Sequence, residues 1–171
     1  MAELKQVTSN LVVACGGSIL GDIGGAVNRT QEKEPLRYDK QRTDLNQCYE
    51  SPDLTVDSAG TTFDLRGGSS LTDPTGLSAS FARIKRLVIK SLDSPDSAGK
   101  DIVVGNAASN PWLGPLAGTT PTQTIPAGGV LVWEHPGSQG WSVGAGATDN
   151  LLIKSSSGTA KFRLLIEGNA Q

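Results

Sequence analysis

The chain has 171 residues, 37% hydrophobic and 19% charged, with a formal net charge of -2. That length suits one domain with an appendage, and the faintly acidic balance argues against a general affinity for nucleic acid. No run reaches the roughly 18 apolar residues of a membrane-spanning helix, and Met1 to Lys5 with Leu11 to Cys15 lack the form of a secretion signal, so the expectation is a product made in a cytoplasm and soluble there.

Residues 1–36 read as an N-terminal arm. Gly16 to Gly25 carries glycine at five of ten positions, and that density raises the entropy cost of any fixed structure. Such a segment is either an extended arm ordered by a partner or a loose loop over the domain. Ile19, Leu20, Ile23 and Val27 favour the arm, because a solvated linker needs no apolar anchors.

Residues 37–171 read as an all-β domain. Arg42 to Glu50 suits a strand or a short helix. Leu54–Val56 and Thr61–Leu65 flank Asp57-Ser-Ala-Gly60 and are expected to form a hairpin. The same tetrapeptide returns at Asp96–Gly99, and Ser155-Ser-Ser-Gly158 is expected to be a further hairpin loop. Ser78–Phe81 suggests one helical turn. Strand-length apolar runs follow at Arg86–Leu92, Asp101–Gly105, Gly129–Trp133, Asn150–Lys154 and Ala160–Ile166, each separated by turn-forming residues. In the last run Ala160, Phe162, Leu164 and Ile166 alternate with Lys161, Arg163, Leu165 and Glu167, as in a half-buried antiparallel strand. Val130–Trp133 is apolar throughout, so it is expected to be central, or to meet another subunit through its outer face. Seven to nine strands in two sheets would make an antiparallel β-sandwich.

Catalytic constellations are hard to assemble from these residues. His135 is the single histidine and no Gly-x-Ser-x-Gly accompanies it, so an exposed turn histidine is expected. Asp93, Asp96 and Asp101 lack the spacing that wraps a calcium ion. The glycine-rich pieces fit no phosphate-cradling loop, and Cys15 and Cys48 read as reduced structural residues. The expectation is no enzyme and no cofactor or metal. Arg83, Lys85, Arg86 and Lys90 form a basic group expected to be one solvated face, or to pair with acids on a neighbouring subunit. Trp112 and Leu113, between Pro111 and Pro115, Trp133 at a strand end, and Trp141 on a loop are candidate interface residues. Aromatics are enriched at binding hot spots, although a loop tryptophan also caps the open end of a sandwich.

The order Phe81 to Lys90, Ile102–Asn106, Asn110–Pro115, Ile125–Trp133 and Phe162–Gly168 resembles capsid decoration (cement) and similar accessory virion proteins of tailed bacteriophages. The resemblance covers about half the chain. It implies a jelly-roll-like β-sandwich that trimerises on the outside of an icosahedral shell, with an extended arm reaching neighbouring subunits. The implied partners are the major capsid protein and copies of this chain, with no nucleic acid and no membrane, and the implied location is the virion surface. A receptor- or carbohydrate-binding module of a tail fibre is the competing reading, since loop tryptophans stack on sugars.

Overall fold

The computed structural model describes residues 45–66, 71–72 and 78–170. The arm, its anchors Ile19, Leu20, Ile23 and Val27, and the boundary expected after residue 36 lie outside the described residues. What is described is nearly all β: β1 (Gln47–Glu50), β2 (Leu54–Val56), β3 (Thr61–Asp64), β4 (Arg83–Ser91), β5 (Ile102–Gly105), β6 (Thr122–Ile125), β7 (Val130–Glu134), β8 (Trp141–Ser142), β9 (Asn150–Ser155) and β10 (Ala160–Asn169). One 3-10 turn, Gly114–Leu116, interrupts the connection between β5 and β6.

The strands form two antiparallel sheets. The larger runs β1-β10-β4-β7, with β2 also on β10 and β8 also on β4; the smaller runs β3-β9-β5-β6. β10 is central because its alternation buries Ala160, Phe162, Leu164 and Ile166 on one face. β4 faces the core with Ile84, Leu87, Ile89 and Ser91. This set changes parity at Lys85, where β4 carries one extra residue opposite Glu167–Gly168. A residue at 168 must be glycine in this geometry, since an added Cβ would lie 2.0 Å from the Arg83 carbonyl oxygen.

Both sheets contribute to one hydrophobic core. Leu151 and Ile153 of β9 and Ile102 and Val104 of β5 join the inward residues of β4 and β10. Each fully buried aliphatic side chain of this kind contributes about 1.5–3 kcal/mol. The aromatic content is low, as composition implied, so branched aliphatics fill most of the space. Leu54, Leu131, Trp133 and Trp141 are half-buried against the same cluster.

The structure changes several local expectations. β2 and β3 do not pair: β2 lies on β10 in one sheet and β3 on β9 in the other. Asp57–Gly60 is therefore a corner between sheets. Its loop chemistry is as read, with Asp57 Oδ1 accepting the Ala59 and Gly60 N–H groups at 2.9 and 3.1 Å and Gly60 at φ +87°. The loops containing Asp96–Gly99 and Ser155–Gly158 are corners too, because β4 and β10 lie in one sheet and β5 and β9 in the other. The three corners meet at one end, where Ser155 N–H donates to the Asp57 carbonyl at 2.8 Å and Ser157 N–H to the Gly99 carbonyl at 2.9 Å. A turn sequence specifies where the chain reverses, not which strand it then joins. Ser78–Phe81 is not helical; Ser78 makes an isolated antiparallel bridge to Thr72. β7 is not central, and among the described residues it ends the larger sheet.

Candidate interaction surface

The outward face of the larger sheet is built in registered rows. In the first, Glu167 lies opposite Arg86 and Arg86 opposite Glu134. Arg86 Nη1 stands 3.1 Å from Glu167 Oε2, and Nη2 stands 3.6 Å from Glu134 Oε2. The Arg86 and Glu167 side chains are only 2% and 1% exposed. The basic group is thus not one solvated face: Lys85 and Arg86 are buried, and Arg86 is met by acids of its own chain. Local sequence reading missed this network because residues 86, 134 and 167 are remote in the chain. The available signal was a glutamate at the end of the apolar run Val130–Trp133 and another directly after Leu164–Ile166.

The next row is aliphatic. Leu165, Val88 and Val132 stand in register across β10, β4 and β7, all half-buried. In the row beyond, Arg163, Lys90 and Val130 are exposed, Val130 at 55%. Val130 is the most exposed large hydrophobic residue among those described. Among the described residues its strand ends the larger sheet. β6, the edge of the smaller sheet, is flanked by Pro121 and Pro126 and carries Thr122, Gln123 and Thr124 outward, the usual ways of blunting an edge. β1 and β2 are separated by Ser51-Pro-Asp53, and Asp53 pairs with Arg163 at 2.5 Å. β7 has neither a proline within it nor a basic residue.

The four candidate residues outside the arm divide between two places. Trp133 turns inward beneath the edge strand, opposite Leu87. Trp112, Leu113 and Trp141 gather at the end of the body remote from the Ser/Gly corners. Trp112 is 4% exposed and takes the capping role instead of standing out as an anchor. Burial is favourable here because its indole Nε1–H donates to the Ser142 carbonyl at 3.1 Å, which satisfies the one polar group the ring carries. Trp141 stands edge-to-face with Trp112 at 6.3 Å and with His135 at 5.2 Å. Leu113 is 36% exposed beside them.

His135 is a half-buried turn residue. Its Nδ1 accepts the Gly137 N–H at 3.1 Å, which holds the ring against Trp141. Asp93 and Asp101 fix corners: Asp93 Oδ2 accepts the Lys161 N–H at 2.7 Å and Asp101 Oδ1 the Ala127 N–H at 3.1 Å. Among the described residues no group of three or more His, Cys, Asp or Glu side chains is placed to hold a metal ion. No described helix is long and apolar enough to cross a membrane. Comparisons with protein-family models, with curated proteins and with solved structures found no match to this chain.

Proposed function

We propose that this chain is a virion structural protein that binds the outer surface of an icosahedral capsid and clamps neighbouring capsid subunits. Its body is a jelly-roll sandwich in this reading. Taking β1 with β2, and β7 with β8, as halves of interrupted strands leaves eight strands. Their orders are 1-8-3-6 and 2-7-4-5, which is jelly-roll connectivity, an architecture used by viral capsid and lectin domains.

The observation that carries the proposal is the aliphatic strip ending at Val130 on β7, the strand that ends the larger sheet among the described residues. An exposed apolar strip next to a free edge favours burial against another chain. A second copy of this chain is its occupant, giving the homotrimer, and the 1–36 arm then reaches the capsid protein. Several arms on one trimer act together, because each contact after the first is intramolecular. Arg163 beside the strip is already paired with Asp53 of its own chain, and exposed Lys90 suits a facing patch that is aliphatic with an acidic rim.

The test is co-sedimentation of purified chain with capsids that lack it. Full-length protein is expected to pellet with the particles and raise their resistance to heat. A version lacking residues 1–36 is expected to stay folded and remain in the supernatant. Failure of the full chain to bind any capsid from its own source would overturn the proposal.

A further inference from the structure

The end of the body that holds Trp112 and Trp141 contains a second surface, independent of the edge strand and the arm. A shallow hollow of about 360 Å³ is lined by Leu113, Gly114, Gly140, Trp141, Ser142 and Thr148. Three connections form it: the long β5–β6 segment, the loop entering β8, and the turn before β9.

This hollow is rigidly built. Trp141 is gripped by two perpendicular rings, Trp112 and His135. Trp112 is fixed in turn through the Ser142 carbonyl. Gly114 sits directly on the Trp112 indole, where a Cβ would lie 2.7 Å from ring carbons. Gly140 adopts φ +66°, and a Cβ there would be 2.7 Å from the Ile84 carbonyl oxygen. Both lining glycines thus leave bare backbone facing the space. The β5–β6 connection also turns repeatedly through left-handed backbone. It holds Asn106, Asn110 and Ala117 at φ +59°, +48° and +52°, three of the four described non-glycine residues with positive φ. Asparagine tolerates that region, and Ala117 is the left-handed C-cap of the 3-10 turn.

The lining chemistry selects the ligand. An indole and a leucine supply apolar surface, Ser142 and Thr148 supply polar groups, and none of the described lining residues is charged. We infer that the hollow binds a neutral saccharide, with the C–H face of one pyranose ring on Trp141 and its hydroxyls toward Ser142, Thr148 and the glycine backbone. A purely apolar ligand would leave those polar and backbone groups desolvated without partners. An anionic one would find no cation among the described lining residues. The volume lies at the small end of ligand sites, which fits one or two sugar rings, and a pre-formed aromatic wall loses little entropy on binding.

Saturation-transfer NMR on the full chain tests this, with methyl β-glucoside, methyl β-galactoside and tri-N-acetylchitotriose as probes and glucuronate as the anionic comparison. At least one neutral probe is expected to bind saturably in the millimolar range through its ring C–H protons, with glucuronate at least tenfold weaker. Trp141→Ala is expected to abolish the signal. Because Trp141 also packs on the core, Leu113→Lys at an exposed position is the second variant, expected to keep the melting temperature and weaken binding at least tenfold. Absence of saturable binding by all three neutral probes, equal binding of glucuronate, or undiminished binding in Leu113→Lys would each overturn the assignment. No capsid enters this assay, so its failure leaves capsid attachment untouched.

Discussion

Arg86 and Glu167 lie opposite each other on adjacent strands, 3.1 Å apart, both almost wholly removed from solvent on the face of the sheet that turns away from the aliphatic core. Charges so placed are tolerated only when matched, since desolvation of each ion is costly. Arg86→Met leaves the Glu134 and Glu167 carboxylates facing the vacated position. It is expected to destabilise the fold by about 3–5 kcal/mol. The triple change Arg86→Met, Glu134→Leu, Glu167→Leu is expected to recover most of that loss. Urea unfolding of the variants measures both, and an Arg86→Met protein as stable as the parent would show that the network is not buried.

Val130 tests the edge strand. Its side chain contributes little to the core, so Val130→Glu is expected to change stability by no more than about 0.5 kcal/mol. Lys90, directly opposite on β4, tolerates the new carboxylate. Self-association is expected to fall sharply, because a charge would enter the aliphatic strip. Sedimentation equilibrium of parent and variant gives the answer; a variant that assembles like the parent would remove this strip from the subunit contact.

Gly168 tests the irregular pairing of β10 with β4. Gly168→Ala is expected to cost about 1–3 kcal/mol through overpacking against the Arg83 carbonyl. Gly146→Ala is the matched comparison. Its Cβ would meet nothing within 4 Å, although its φ of +64° carries its own strain. Thermal melts are expected to show the larger drop for residue 168.

Asp93 links stability to pH. Burial by itself pushes its carboxyl pKa up, but the Lys161 N–H and the Lys100 ammonium outweigh that and hold it below the ordinary carboxylate value. A carboxylate with a lowered folded pKa stabilises the fold above its unfolded pKa, and that contribution is lost as pH falls through the folded value. Asp93→Asn is therefore expected to be less stable than the parent at pH 7, with the gap closing below about pH 4. Urea titrations at pH 7 and pH 3 measure it. An equal gap at both would mean that the hydrogen bonds, not the charge, carry the effect.

Much of the strand content was legible from local chemistry. The period-two pattern of Ala160–Ile166 and the short apolar runs at residues 102–105 and 150–154 identify β10, β5 and β9, because a half-buried pleat imposes that alternation on any chain that forms it. The Asp57 and Gly60 turn was readable for the same reason, since side-chain acceptance and positive φ are local properties. Partner choice was not local. The Asp57–Gly60 reversal looks the same whether the next strand pairs with its neighbour or crosses to the other sheet, and only the shared core around Phe63 and Phe162, edge-to-face at 6.4 Å, selects the crossing.

The sequence by itself determined that this chain folds as strands joined by tight polar turns, with a core of branched aliphatics and few aromatics. Tertiary structure alone decided that Arg86 meets Glu134 and Glu167, that β7 ends its sheet among the described residues, and that Trp112 is covered while Leu113 beside it is not. Periodicity is written residue by residue along the chain. Burial and pairing depend on which remote strands arrive at the same place, and no local stretch carries that information.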